Sequence, residues 1–267
     1  MRTRFLLAAL ILASPAAGED SLTFTKSGKP VARFTKDELR AKLPAKKQTF
    51  FDPHYGKVKS YDCLPIKDVM RLAYGRGWEK SAQSEAVLTA ADGYASVSSA
   101  AKLAEDGGCL AVADAEFPDW EPVGRKKVNP GPYYLSWTGE RQSTENAYPW
   151  PWQLVSINLV RFEDRYPEVV PRGAAPDSPA HRGFLKFKAL CMRCHSINQE
   201  GGKIGPDLNA PQSITAYRPK EMIKAFIRQP SKFRYTEMPD HPQLTDEDLE
   251  NLYQYFLFKS KQPEKSF

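Results

Sequence analysis

The sequence predicts two domains, a mixed α+β domain followed by a small all-α one. Three observations carry this. Four prolines (Pro167, Pro171, Pro176 and Pro179) fall between residues 167 and 179 and read as an extended linker. The tryptophans Trp78, Trp120, Trp137, Trp150 and Trp152 all precede that stretch. After it, apolar residues recur at helical spacing around a Cys-x-x-Cys-His string. The predicted boundaries are 1–18 for a signal peptide, 19–166 for the α+β domain, 167–180 for the linker and 181–267 for the helical domain.

The chain opens with Arg2 and Arg4, an apolar run from Phe5 to Ala13, and small residues through Gly18. This is the pattern of a cleaved export signal, too short to span a bilayer. Charged residues interrupt every later apolar segment, so no integral membrane segment is expected after cleavage, and the periplasm is the expected destination. Apolar content of 41% and charged content of 26% fit a globular protein. A formal charge of +6 is too mild for a nucleic-acid binder without a recognisable module.

In the first domain, residues 22–25 and 31–34 flank Ser27-Gly28-Lys29-Pro30 and read as a hairpin. Thr35 and Glu38 form a capping box for a short helix. Leu64 to Met70 opens a second helix, while 87–89 and 154–160 read as strands. In the second domain, Phe184, Phe187 and Leu190 share a helix face. Pro219 opens a helix that Pro230 stops. Thr245 caps a third, whose Leu249, Leu252, Tyr253, Phe256 and Leu257 are apolar. Met222 reads as core. Cys63 and Cys109 either pair or remain two buried thiols.

The string Cys191-Met192-Arg193-Cys194-His195 carries the chemistry. Two thiols at this spacing can form thioethers to the vinyl carbons of a haem, and the adjacent His195 then lies beneath the iron as an axial ligand. One haem c per chain is expected. A zinc site would need further paired ligands, and a redox dithiol would sit in a βαβ context.

These residues resemble class I cytochromes c over residues 181 to about 260. Gly183 and Phe187 look like that family's contact residues on the first helix, with Tyr253 as aromatic partner. Gly205-Pro206-Asp207-Leu208 resembles the family's G-P-x-L segment, which implies that the Pro206 carbonyl holds the His195 ring. Met238-Pro239 resembles the distal methionine, with His241 as its rival. The resemblance implies a His195/Met238 iron with no open position, and hence electron transfer between a periplasmic redox enzyme and an acceptor. A haem enzyme or sensor with a labile distal ligand is the alternative.

Pieces of the first domain resemble the sulfite-oxidase molybdopterin fold: Tyr61 to Met70, Asp92-Gly93-Tyr94, and the strand after Trp150-Pro151-Trp152. That family binds molybdenum through a cysteine thiolate, and the corresponding stretch, Thr49 to Gly56, has none. The resemblance therefore implies a domain without molybdenum. A molybdenum oxidoreductase with a fused cytochrome is a further alternative. Charge within the second domain is uneven, with 12 basic and 4 acidic residues over 171–234 and 3 basic and 7 acidic over 235–267. Lys186, Lys188, Arg193 and Lys203 are the expected docking cations for a redox partner.

Overall fold

Two sheets and their short helices make up the N-terminal half of the computed structural model, which describes residues 20–124 and 126–262. The expected signal peptide, 1–18, lies outside the described residues. The strands are β1 (Ser21–Lys26), β2 (Lys29–Thr35), β3 (Lys46–Asp52), β4 (Lys57–Pro65), β5 (Glu85–Ala90), β6 (Ala95–Ser99), β7 (Gly108–Asp114), β8 (Tyr134–Trp137) and β9 (Leu154–Val160). One sheet runs β2-β1-β9-β5-β6 and the other β3-β4-β7-β8. All pairings among these strands are antiparallel except β1 with β9.

The helices are α1 (Lys36–Lys42), α2 (Ile66–Tyr74), α3 (Ala100–Ala104), α4 (Phe162–Arg165), α5 (Pro179–Lys186), α6 (Ile214–Tyr217), α7 (Lys220–Arg228) and α8 (Asp246–Ser260). The mixed α+β half followed by a mostly helical half is thus the observed architecture. Local signals act as expected. Thr35 and Glu38 form a capping box on α1, and Thr245 and Asp248 form one on α8. Pro219 stands at the start of α7. The helix expected from Leu64 starts later, because Leu64 and Pro65 still belong to β4 and Pro65 forms the helix cap.

Two cores form. The first gathers Leu22, Phe24, Tyr61, Leu64, Tyr134 and Trp137 between the sheets and helices. The second holds Phe187, Leu252, Tyr255 and Phe256, and it also takes in Val87 and Val160 from the first sheet. Phe162, Tyr166 and Val169 are buried in the same cluster. The Tyr255 hydroxyl donates to the Val169 carbonyl at 2.7 Å. The chain leading out of β9 is therefore packed against the helical half.

Helices α5 and α8 cross closely at Gly183, where an added Cβ would lie 1.9 Å from the Asn251 carbonyl oxygen. Phe187 meets Tyr255 at 5.4 Å and Phe256 at 6.2 Å between ring centroids. The expected partner, Tyr253, is only partly buried at the edge of this core. Met222 is 41% exposed, so it is a surface residue and not core. It lies on α7, whose buried side is formed by Ile223 and Ile227.

Cys63 and Cys109 form a disulfide with a Cα separation of 5.1 Å. Strands β4 and β7 are adjacent, with Pro65 opposite Cys109 and Cys63 opposite Ala111, so the two cysteines are diagonal neighbours. The link closes 46 residues of chain. Its loss, in a Cys63→Ala/Cys109→Ala protein, is expected to cost about 2–4 kcal/mol. Urea unfolding of the two proteins side by side measures it, and an unchanged midpoint would show that the bond carries no stability.

Candidate functional site

The site is assembled where α5 runs on into a π-helical turn, Phe187–Cys191. Ser178 caps α5 by accepting from the His181 N–H, and Pro179 occupies the first turn. Phe187 and Leu190 anchor the turn in the core, leaving Cys191 and Cys194 half-buried as free thiols. The Cys194 and His195 N–H groups both donate to the Cys191 carbonyl, at 3.0 and 2.9 Å. The string thus forms a tight turn that displays both sulfurs and the imidazole.

Burial pushes the Cys191 thiol up to about 12, and it raises Cys194 as well. Reactive dithiols have lowered values, the opposite direction from this pair. His195 Nδ1 lies 2.8 Å from the Pro206 carbonyl oxygen. A carbonyl only accepts, so Nδ1 donates and Nε2 is left as the lone-pair nitrogen able to ligate a metal. Burial lowers the His195 pKa, with the Pro206 hydrogen bond and Asp207 acting against it.

The segment behind the ring is fitted closely. A Cβ at Gly205 would lie 2.4 Å from His195 Cε1, so only glycine lets the backbone pass under the imidazole. The Gly205 N–H donates to the Cys194 carbonyl at 2.8 Å. Asp207 fixes the next turn by accepting from the Gln199, Asn209 and Ala210 N–H groups, each at 2.7 Å. Burial by itself raises the Asp207 carboxyl, but these backbone donors outweigh it and hold the pKa below the usual range.

Met238 is half-buried and packs against the helical core, and its N–H donates to Thr236 Oγ1 at 3.1 Å. His241, its expected rival, is buried, with its N–H on the Arg228 carbonyl at 2.9 Å. The expected docking cations do not form a free ring. Lys186 pairs with Asp248 at 3.0 Å, and Lys188 pairs with Glu85 of β5. Arg193 donates to the Thr144 carbonyl at 3.3 Å, and the side chains of Lys203 and Lys186 are exposed. Carboxylates close at hand in the fold pair with Lys186 and Lys188, while Arg193 meets only neutral carbonyls.

Sequence reasoning missed a second polar cluster, in the other sheet. The fully buried Lys59 bridges Asp114 and Glu121, each at 2.8 Å. Beside it, buried Asp52 accepts from the Tyr61 and Tyr134 hydroxyls at 2.8 and 3.0 Å. The available signal was a lysine in the middle of a strand that is otherwise mostly buried.

No curated protein matches the chain. A family match covers part of the C-terminal half, and it changes several expectations. The second domain does not match class I cytochromes c in the comparison with families, and the matched family is an oxidase subunit. The reading as a periplasmic electron-transfer protein of the class I cytochrome c type is accordingly replaced, and so are the haem enzyme, sensor and molybdenum alternatives. The sulfite-oxidase likeness of the first domain finds no matching relative. The expected metal binding and haem c cofactor are also not borne out as a metal centre of clustered ligands. Among the described residues, no group of three or more His, Cys, Asp or Glu side chains is placed to hold a metal ion. Cys63 and Cys109 are joined to each other and so are not available as ligands, while Cys191 and Cys194 are free. The string Cys191-Met192-Arg193-Cys194-His195 itself stands in the sequence, within the matched segment. Residues 178–256 are similar to the family described as cytochrome c oxidase, cbb3-type, subunit III.

Proposed function

We propose that the C-terminal half works as the redox module of a cytochrome-oxidase-type assembly, in the manner of a subunit III of the cbb3 type. The match over residues 178–256 supports this reading. At residue level, Cys191 and Cys194 would hold a haem through thioethers, His195 Nε2 and Met238 would ligate its iron, and Pro206 would orient the His195 ring. The observation that carries the assignment is the hydrogen bond between His195 Nδ1 and the Pro206 carbonyl. It fixes the imidazole with Nε2 free, beside two unpaired thiols. Such a group supplies a one-electron couple. The chain's own part is to hold the ring, to bury the sulfurs and to exclude water with Phe187, Leu190 and Leu208.

The site of action is the periplasm. Among the described residues no helix is long and apolar enough to cross a membrane. The Cys63–Cys109 disulfide suits an oxidising compartment. The test is a haem stain of denatured, full-length protein produced with its leader in a host that attaches haem covalently. The wild-type band is expected to stain, and Cys191→Ala/Cys194→Ala to lose the stain while keeping its fold. An unstained wild-type band, or a stained double variant, overturns the assignment.

A further inference from the structure

The attachment string is held by the N-terminal half as well as by its own helices. Arg193, between the two cysteines, donates through Nη2 to the Thr144 carbonyl at 3.3 Å and through Nε to the Leu190 carbonyl at 3.0 Å. Tyr94, on the turn between β5 and β6, lies near Arg193: burial raises the pKa of its hydroxyl and the neighbouring guanidinium opposes that shift. A small cavity between the halves is lined by Ser96, Ala147, Pro149, Lys188 and Arg193. Next to it Lys188 pairs with Glu85 and lies 4.3 Å from the centre of the Phe162 ring. A guanidinium in this position is half-buried and clamped from both sides.

We propose that the N-terminal half, through the Thr144 carbonyl and with Tyr94 alongside, positions Arg193 as a fixed positive charge that holds the attached redox group toward its reduced state. This rests on the reading of Cys191, Cys194 and His195 as the attachment residues. Arginine keeps its charge throughout the physiological pH range. Reduction removes one positive charge from the iron, so a fixed cation nearby favours the reduced form. A unit charge about 10 Å away at an effective dielectric constant of about 20 shifts the reduced-to-oxidised ratio on the order of tenfold. A freely moving surface arginine would be screened by salt and would exert much less. Tyr94 and Thr144 are positioning residues here, and the first domain acts as a part of the redox site without contributing a ligand.

The experiment uses full-length, exported protein poised at one ambient potential with a redox buffer, and reads the reduced-to-oxidised ratio from absorbance. Arg193→Met is expected to move the ratio about tenfold toward the oxidised form, and Arg193→Lys to keep most of the wild-type value. Tyr94→Phe is expected to shift it in the same direction by about twofold or more. A merely structural role for these contacts would move the melting temperature and leave the ratio alone. An unchanged ratio in folded Arg193→Met overturns the proposal. If that variant does not fold, an unchanged ratio in Tyr94→Phe overturns it equally. Wild-type protein without a covalent haem stain, read before any poise, overturns the attachment reading and this inference with it.

Discussion

Replacing Lys59 with methionine is expected to lower the stability of the protein by about 3–5 kcal/mol, the usual cost of removing one partner of a buried ion pair. Lys59 is fully buried, and its ammonium meets the equally buried Asp114 carboxylate at 2.8 Å. Glu121 completes the pair from the other side, also at 2.8 Å. The rings of Phe117 and Tyr55 lie 4.6 and 5.1 Å from the same nitrogen. Burial alone would lower the Lys59 pKa, but its hydrogen bonds to Asp114 and Glu121 outweigh this and raise it above the ordinary lysine value. A raised lysine contributes its full stability below the unfolded value and loses it only as pH rises through the folded value. The loss in Lys59→Met is therefore expected to be flat between about pH 6 and about pH 9. Asp114 also accepts from the backbone N–H groups of Glu116 and Phe117, at 2.9 and 3.2 Å, so an unpaired carboxylate there remains partly solvated by the chain. Adding Asp114→Asn to Lys59→Met is expected to recover a good part of the deficit, because the uncompensated charge goes. Urea unfolding of the single and double variants decides the matter. A single variant within about 1 kcal/mol of wild type would mean that water reaches the cluster.

The second large effect lies at the crossing of α5 and α8. A methyl group at Gly183 would sit 1.9 Å from the Asn251 carbonyl oxygen and 2.8 Å from Tyr255 Cβ. The nearest obstacle is backbone and cannot rotate away, so the helices must separate. The expected cost of Gly183→Ala is about 3 kcal/mol, at the upper end of overpacking effects. Separation also draws Phe184 and Phe187 off Tyr255, whose ring centroids now lie 6.0 and 5.4 Å away. Leu185→Ala, at a neighbouring position that is 49% exposed, is the control and should be nearly neutral. A melting temperature unchanged in Gly183→Ala would show that the helices have room to slide.

What was legible in the sequence was local. The capping boxes at Thr35 and Thr245 need only residues three apart, and the first hairpin needs only a turn between two short strands. The turn from Cys191 to His195 is local in the same way, closed by the Cys194 and His195 N–H groups on the Cys191 carbonyl. The sheet β3-β4-β7-β8 was hidden because its strands come from distant parts of the chain. Most of β7 is buried, so it shows no alternation to read. Pairing of Cys63 with Cys109 could be seen only once the register of β4 against β7 was known. Tyr255, and not Tyr253, met Phe187 because a rotation of α8 by two residues changes which face it buries. The family to which residues 178–256 are similar was misread for a related reason. Short motifs specify a local arrangement, while a family is defined by the whole segment around them.

The parallel pairing of β1 with β9 has a consequence for how the protein is made. Thr23 lies opposite Ser156, and Lys26 opposite Leu159. The first strand of the sheet therefore cannot acquire this neighbour until nearly the whole N-terminal half has been synthesised. Until then β1 and β2 form an isolated hairpin, which is marginal in water. The β5–β6 hairpin waits for the same strand, since β9 lies between the two. Closure over so long a separation is slow, and the waiting hairpins expose unpaired edges. Completion by a single late strand makes closure of this five-stranded sheet a late event, while the sheet β3-β4-β7-β8 has all its strands by residue 137.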